Sequence, residues 1–280
     1  ESTMRPIKLL AATSLALLLT ACPKEDADGP MTSAEARQAL EESTVESQAS
    51  ALTSNSIEIS TNFTIGKAAQ AAADELRTFI QTQLPCAEIT LADATLTVEY
   101  GAKPGNCTYR GQTYEGSHSV KVTKSEQAEV LVEHTWTELS NGVVKVSGTA
   151  KVTWDFADKE RRVEHDLTWM RIRDGRTGRG QGNRTQKPLP GGIAEGIQVD
   201  GSRSWTGEAG RWDLSIEGVQ ARWQDPVPQA GTYRLASPKG RSLALSFSRV
   251  DEDTIEVSLT NGTRTFKFKV NSIGDVGDES

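Results

Sequence analysis

The three histidines are the side chains of this 280-residue chain whose spacing could support metal chemistry. His118 and His134 lie on the apolar faces of two successive strand-like segments. A three-residue loop over 125–127 would place them directly opposite each other, with Cβ atoms about 5 Å apart, so their imidazoles could share a metal ion. His165 falls about 16 Å from His134 by strand rise and spacing, and it does not join the pair.

Two histidines are too few for a catalytic metal site. A catalytic zinc takes three protein ligands, and the sequence contains neither a His-Glu-x-x-His nor a Cys-x-x-Cys string. It also lacks a Gly-x-Ser-x-Gly elbow, and the glycines of 178–182 lack the strand-to-helix setting of a phosphate-binding loop. We therefore favour a structural role in a sheet over a metal-dependent hydrolase centred on His118 and His134. We expect no metal, no cofactor and no enzymatic activity.

A basic, glycine-rich segment is the second candidate site. Between residues 171 and 187 the only acidic side chain is Asp174, although the whole chain is acidic. We predict a loop, and we favour a solvated connection between two halves of a sheet. The alternative is a loop that binds lipid phosphates or acidic glycans through charge-assisted hydrogen bonds. The basic residues of the segment are Arg171, Arg173, Arg176, Arg179, Arg184 and Lys187.

Residues 4–22 have the layout of an export signal. Met4 opens a short segment that is basic through Arg5 and Lys8. An apolar run over 9–19 and then small residues follow it. The run is roughly half of the ~20 residues that a spanning helix needs, which favours a cleaved signal over a transmembrane segment. The string Leu19-Thr20-Ala21-Cys22 resembles the lipobox of bacterial lipoproteins. An ordinary cleaved signal with a coincidental cysteine is the alternative.

The lipobox resemblance implies a lipid anchor. It implies cleavage before Cys22, a diacylglyceryl group on the sulfur and an acyl group on the new amine. Anchoring becomes stable once more than one acyl chain inserts into the bilayer. The membrane would then be a partner through the lipid on Cys22, and the expected location is the bacterial cell envelope, at the outer membrane.

The other two cysteines, Cys86 and Cys107, predict a disulfide. Once Cys22 is assigned to the lipobox, two cysteines remain, and an exported chain with an even number of remaining cysteines usually pairs them in disulfides. Closing a loop of this size contributes about 3 kcal/mol in the chain-entropy description. A two-cysteine metal site is the alternative, but no further Cys or His stands at ligand spacing.

The composition narrows the class of protein. The chain is 36% hydrophobic and 25% charged, which excludes a polytopic membrane protein. The formal net charge is −7, which argues against a nucleic-acid partner.

The domain organisation follows from shifts in composition. Residues 1–21 form the expected signal peptide, including three residues before Met4. Residues 22–56 are rich in Ser, Thr, Glu and Ala, with few large apolar groups, so we expect a lipidated cysteine followed by a polar tether. Residues 57–280 form one domain, with a possible subdivision near 174–192.

The N-terminal third of the chain contains two patterns that predict helices. Apolar residues at helical spacing predict one amphipathic helix over 67–84, which ends before Pro85. Core packing is the favoured role for this helix, rather than association with a membrane. Residues 32–35 could form a capping box for a marginal helix inside the tether.

From residue 87 onward the apolar period is two residues, which predicts a mainly β fold. Strands with one polar, solvent-facing side and one apolar side indicate an antiparallel sheet, and the turn signals indicate a meander of about a dozen strands. So wide a sheet must curl, close or cover its edges. We expect a barrel-like or half-barrel meander with helix 67–84 on its apolar face, and a two-sheet sandwich is the alternative.

The turn signals also predict strand registers. Short loops at the hairpin ends give three pairings that the structure can test. They are His134 opposite Gly148, Val152 opposite His165, and Val257 opposite Phe266.

The body is similar to large β-meander bacterial lipoproteins of unassigned function, through the lipobox, the polar tether, the cysteine pair and the Trp-bearing hairpins. This resemblance supplies no active site. We predict a non-catalytic envelope lipoprotein that acts as a scaffold or binding surface, with another envelope protein, a lipid phosphate or an acidic glycan as its partner. The alternative is a carrier that holds an acyl chain in an apolar mouth between helix 67–84 and the sheet.

Overall fold

The computed structural model describes residues 29–126, 129–155 and 157–279. Two helices come first, α1 (Ser33–Ile59) and α2 (Ala69–Gln83), and strands follow. The strands are β1 (Glu88–Ala92), β2 (Thr95–Tyr100), β3 (Thr108–Tyr109), β4 (Gln112–Thr113), β5 (Glu115–Glu126), β6 (Glu129–Ser140), β7 (Val144–Asp155), β8 (Glu160–Arg171), β9 (Thr177–Leu189), β10 (Gly192–Gly207), β11 (Gly210–Ala221), β12 (Ala230–Ala236), β13 (Ser242–Arg249), β14 (Thr254–Thr260) and β15 (Thr265–Asn271).

Thirteen of the strands form one antiparallel sheet in the order β1-β2-β5 and then β6 to β15 in sequence. The short strands β3 and β4 form a separate hairpin. β1 and β15 are the two edges, and within the described residues they do not pair with each other. The predicted mainly β meander is therefore confirmed as an open sheet, and the two-sheet sandwich is wrong.

The two-residue period places apolar side chains on one face of the sheet. In β15, for example, Phe266, Phe268 and Val270 are buried while the residues between them are exposed. The same alternation continues across the meander and produces one hydrophobic core. This is the pattern expected of a sheet with one covered face and one wet face.

Most of the segment expected to be a polar tether, 22–56, belongs to helix α1. Most of its 27 residues are buried, and the sheet contacts it from Trp136 on β6 to Tyr233 on β12. The capping box is present, since Thr32 Oγ1 accepts from the Glu35 amide and the Glu35 carboxylate accepts from the Thr32 amide. The tether was predicted because these residues cannot form a core by themselves. The apolar surface and the polar partners that cover them are supplied by the sheet.

Helix α2 confirms the predicted amphipathic helix. Ala72, Leu76 and Ile80 are fully buried, and the helix packs on β1, β2 and β5. The disulfide is also confirmed, with the Cα atoms of Cys86 and Cys107 5.4 Å apart. It ties the chain after α2 to the residue before β3.

The sequence predicted the faces of the strands correctly and their registers incorrectly. His134 lies opposite Ala150, and Ala150 lies opposite His165. Phe268, not Phe266, lies opposite Val257. Each error is two residues, which preserves the face. The error arises at the turns, as between β14 and β15, where Thr260 pairs with Thr265 and not with Thr263. Bulges then change the register by one residue, as at Glu138, which lies between two paired segments of β6 and has φ 54°.

The glycine-rich basic segment is strand β9 and not the predicted loop. It pairs with β8 and β10, so the sheet is continuous through the expected subdivision near 174–192. Its glycines make room for large neighbours. A Cβ on Gly180 would lie 2.7 Å from Trp205 Cβ, and a Cβ on Gly182 would lie 2.6 Å from His165 Cε1. The glycines therefore fit packing and not phosphate binding.

Gly180→Val should destabilise the protein by roughly 1–3 kcal/mol, because the added side chain would press on the backbone and Cβ of β10. Urea unfolding measures the change. Gln181→Val is the matched control, since Gln181 is exposed on the other face of the same strand and should change stability by less than about 0.5 kcal/mol. Equal losses in the two variants would show that this explanation of the glycines is wrong.

Candidate functional site

The interior of the sheet is built around two matching sets of polar residues. The polar stripe of α1 consists of side chains at four-residue spacing, which share one helix face. They are Glu42, Glu46, Ser50, Ser54 and Glu58. The arginine cluster is contributed by strands β8 to β10 and by the turn between β8 and β9. It consists of Arg161, Arg176, Arg184 and Arg203.

Ion pairs join the three glutamates of the stripe to the cluster, and Glu42 pairs with Arg176 at 3.6 Å. Arg161 Nη1 donates to Glu58 Oε2 at 2.9 Å. Arg203 Nη1 lies 2.5 Å from Glu46 Oε2. Both pairs are almost completely buried. Breaking one partner of such a pair leaves an uncompensated buried charge, so α1 cannot leave the sheet without large cost.

Hydrogen bonds to neutral groups fill the space between the ion pairs. Arg184 Nη1 donates to Ser50 Oγ, and Gln186 Nε2 donates to Ser54 Oγ at 3.1 Å. Other buried hydroxyls of α1 bond to the carbonyl one turn earlier, as Thr44 does to Leu40 at 2.8 Å. These bonds explain how a helix so rich in Ser and Thr is buried.

Burial controls the electrostatics of the interior. It raises the pKa of Glu42, a shift that nearby Arg176 opposes. Burial, helped by the charge of Arg203, lowers the pKa of Arg184 to about 9. In each case the charged form is disfavoured by the loss of water, and a partner of opposite charge offsets that cost.

The six basic residues predicted as an anion-binding loop are separated by the strand geometry. Arg184 points inward to α1, and Arg176 faces Glu41 and Glu42 at 3.4 and 3.6 Å. Arg171 bonds to Asp174, and this contact lowers the pKa of that carboxyl to about 2.

The remaining three basic residues also face carboxylates. Arg179 pairs with Asp166 at 3.2 Å, Lys187 pairs with Glu160 at 2.9 Å, and Arg173 pairs with Asp275. The segment therefore does not form a cluster of free cations. The charge excess seen in the sequence is balanced by acids elsewhere in the chain.

His118 and His134 come together although their predicted register is wrong. His118 lies opposite Trp136, and His134 lies opposite Val120, so the two rings are diagonal neighbours on one face. Their Nε2 and Nδ1 atoms are 3.0 Å apart, and both rings stack with Trp136. Tyr100 OH lies 3.5 Å from His118 Nδ1.

The histidines are buried and neutral. Burial lowers the pKa of His118 to about 3, lowers that of His134 well below its usual value, and lowers that of His165 to about 2. His165 lies two strands from His134 in the same row, about 10 Å away and not 16 Å, and it faces Arg184. In the part of the chain that the structure describes, no three metal-binding side chains are grouped to hold an ion.

A cleft at the C-terminal end of α1 was missed by the sequence analysis. We call it the Trp154 cleft, and its volume is about 320 Å³. It lies between the turn after α1 and the ends of the hairpins β7–β8 and β9–β10, with Arg161 and Glu58 among its lining residues. Its walls come from four separate parts of the chain, so no local pattern could have revealed it. Its apolar side chains are Phe63, Ile65, Val130, Trp154, Ile193 and Ile197.

The space between α2 and the sheet, where the carrier alternative placed an acyl-chain cavity, is filled by side chains. Leu76, Ile80 and Leu84 are fully buried there. This placement of a carrier site is therefore wrong.

A broad groove crosses the polar face of the sheet from β6 to β14, with a volume of about 1590 Å³. Ser, Thr, Asn and Gln side chains alternate along it, and acidic and basic groups are almost balanced. The exposed charged side chains are Glu133, Lys151, Glu164, Asp166, Arg211, Asp213 and Arg234.

Cys22 and the whole export signal lie outside the described residues, so the lipid-anchor prediction stays a prediction. Among the helices of the described ranges, none combines the length and the apolar character needed to cross a membrane.

Comparisons with known proteins add no relative. No protein-family model matches the chain, and neither a curated protein nor a solved structure does.

Arg203→Met should destabilise the protein by about 3–5 kcal/mol, because Glu46 would remain charged and buried without its partner. Adding Glu46→Leu to this variant should recover most of the loss, since no buried charge is then left unpaired. Urea unfolding of the two single variants and the double variant gives the coupling energy.

The exposed pair of Arg211 and Asp213 supplies the control for this cycle. Arg211→Met should cost no more than about 1 kcal/mol, as is usual for surface pairs. A double variant at Arg203 and Glu46 that is no more stable than Arg203→Met alone would contradict the role given to this ion pair.

The histidine pKa values predict a loss of stability in acid. The unfolded chain takes up protons near the ordinary histidine pKa of about 6.5, whereas folded His118 does so only near 3. The free energy of unfolding should therefore fall as pH drops below about 6.5. Proton NMR of the folded protein should show no imidazole titration between about pH 8 and 5. The urea-unfolded protein is the control, and a folded-state midpoint near 6.5 would contradict the prediction.

Proposed function

We propose that this chain is a lipid-anchored, non-catalytic protein of the bacterial cell envelope, placed at the outer membrane, which presents the polar face of its sheet to another envelope protein. The observation that carries this proposal is that the segment next to the lipobox leads directly into α1, which is clamped inside the sheet. The body would then be held close to the membrane surface.

The length of the connecting segment supports this arrangement. Cys22 is seven residues before Gly29, where the described chain begins, and seven extended residues span at most about 25 Å. Gly29 itself accepts a hydrogen bond from Arg241, at 2.7 Å. An anchor on Cys22 would therefore act on a rigid body through a short link and not through the long tether that the composition suggested.

The groove on the polar face supports the choice of partner. A lipid phosphate or an acidic glycan would require an excess of positive charge, but acids such as Glu164 and Asp166 balance the bases of the groove. The six basic residues of 171–187 are engaged with partners inside the chain. A mixed polar surface fits another protein better, because it offers donors, acceptors and both signs of charge.

A carrier for amphiphiles is the second candidate function. The specific observation in its favour is the Trp154 cleft, which combines apolar walls with a buried arginine. Its volume lies at the lower end of the range for small-molecule sites.

Cys22→Ala should release the protein from membranes, because the thiol that would carry the diacylglyceryl group is gone. Membrane fractionation and metabolic labelling with a radioactive fatty acid measure the effect. Cys107→Ala, with Cys86→Ala, is the matched control, since it removes cysteines without touching the proposed anchor. An unlabelled wild-type protein, or a Cys22→Ala variant still bound to membranes, would contradict the proposal.

The same cells test the binding surface. A photo-cross-linking amino acid at Gln181, which lines the groove, should give a protein adduct in the wild-type background and a weaker one with Cys22→Ala. The same probe at Lys267, an exposed residue of β15 outside the groove lining, should give none. Adducts of equal yield at both positions would count against the groove as the contact surface.

A further inference from the structure

The Trp154 cleft has the walls of a site for an apolar chain. Trp154 and Phe63 face it from different parts of the structure, and Val130 and Ile197 form its buried side. Ile65 is 37% exposed at the cleft, which is unusual for a large apolar side chain in this protein. Apolar walls around an accessible space favour a ligand with a hydrocarbon part.

Arg161 gives the cleft a polar end. Its side chain is only 6% exposed. Nη1 donates to Glu58 and Nε donates to Gln186 at 2.8 Å, but Nη2 has no hydrogen-bond partner among the described residues. Several buried polar atoms of the described residues lack a partner, and Nη2 is the one that belongs to a residue lining the cleft, so Arg161 has unused hydrogen-bonding capacity at this site.

The charge around Arg161 favours an anionic ligand. Arg110 Nη1 lies 3.8 Å from the second oxygen of Glu58, so two guanidinium groups share one carboxylate. The C-terminus of α1, at Ile59, contributes only a partial negative charge. The other charged residues of the lining, Asp155, Lys159, Glu160 and Lys187, are two acids and two bases, so the excess positive charge comes from the two arginines at the buried end.

We propose that the Trp154 cleft binds a single-chain amphiphile with an anionic head group. The chain lies against the apolar walls, and the head group lies beside the guanidinium group of Arg161. At about 30 Å³ for each small group, the cleft holds roughly ten non-hydrogen atoms, which is the size of a medium-chain carboxylate. This inference rests on the second candidate function and specifies its ligand.

The position of the cleft indicates how the ligand arrives. α1 is 27 residues long and therefore spans about 40 Å. The cleft lies at its C-terminal end, whereas the proposed anchor precedes its N-terminal end. With α1 upright on the membrane, the site would be reached from the aqueous side and not from the bilayer that would hold Cys22.

Titration calorimetry with decanoate tests the proposal on the full chain carrying Cys22→Ala, which removes the protein's own lipid. Decanoate should bind, and decanol, with the same chain and no charge, should bind at least tenfold more weakly. Decyl phosphate distinguishes a phosphate source from a carboxylate source, and binding by either anion supports the shared chemistry.

Two variants locate the site. Arg161→Gln should weaken decanoate binding at least tenfold and leave decanol unchanged, because only the anionic head loses its partner. Ile193→Trp should abolish binding of both compounds by filling the cleft. Arg203→Gln is the matched control, since Arg203 is an equally buried arginine paired with a carboxylate of α1 outside the cleft lining, and it should bind decanoate normally.

Each outcome decides a separate claim. Equal affinity for decanol and decanoate in the unmodified cleft would overturn the anionic head group and leave the carrier function standing. No binding of any of the three compounds at about 1 mM, the weak limit of specific binding, would overturn both. Equal losses in Arg161→Gln and Arg203→Gln would show that the fold, and not the cleft, controls binding.

Discussion

The structure depends on the burial of a polar helix against arginines of the sheet. Glu46 and Glu58 of α1 are removed from water together with Arg203 and Arg161, and each charge is tolerable only while its partner is present. The sheet therefore curls around α1 not only to remove apolar surface from water but also to pair these buried charges. Such pairs are a poor source of net stability, but they penalise any other position of the helix, since a shift of one residue would separate all of them.

This arrangement decides which surfaces are open to a ligand. A half-barrel suggests a hollow interior, but here α1 fills it, and α2 closes the sheet near β1, β2 and β5. The concave places left open in the described part of the chain include the groove on the polar face and the Trp154 cleft, which begins where α1 ends. Arg161 belongs both to the ion pairs that hold α1 and to the lining of the Trp154 cleft. The arginine that pairs with Glu58 therefore also places a positive charge at the cleft.

The histidines illustrate how a chemical pattern can have a structural explanation. His118, His134 and Trp136 form a stack inside the sheet, next to Ser56 of α1, which accepts a hydrogen bond from Trp136 Nε1 at 2.9 Å. Sequence spacing correctly predicted that the two histidines are neighbours. It predicted the wrong pairing, because β5 continues to Glu126, which pairs with Glu129, so the turn lies later in the chain than the predicted loop 125–127. A bulge between Val122 and Lys124 then changes the register by one residue.

The sequence by itself determined the strand faces, the meander, helix α2 and the disulfide, because each depends on periodicity, turn residues or cysteine number within short stretches of chain. Only the tertiary structure decided the fate of 33–59 and 171–187. By composition alone, segment 33–59 is too polar to form a core, and segment 171–187 is so basic that it would be expected to face solvent. Their charges and hydroxyls satisfy one another across more than a hundred residues, as Ser50 and Arg184 do. No local pattern contains that pairing, because it exists only once the sheet has folded around the helix.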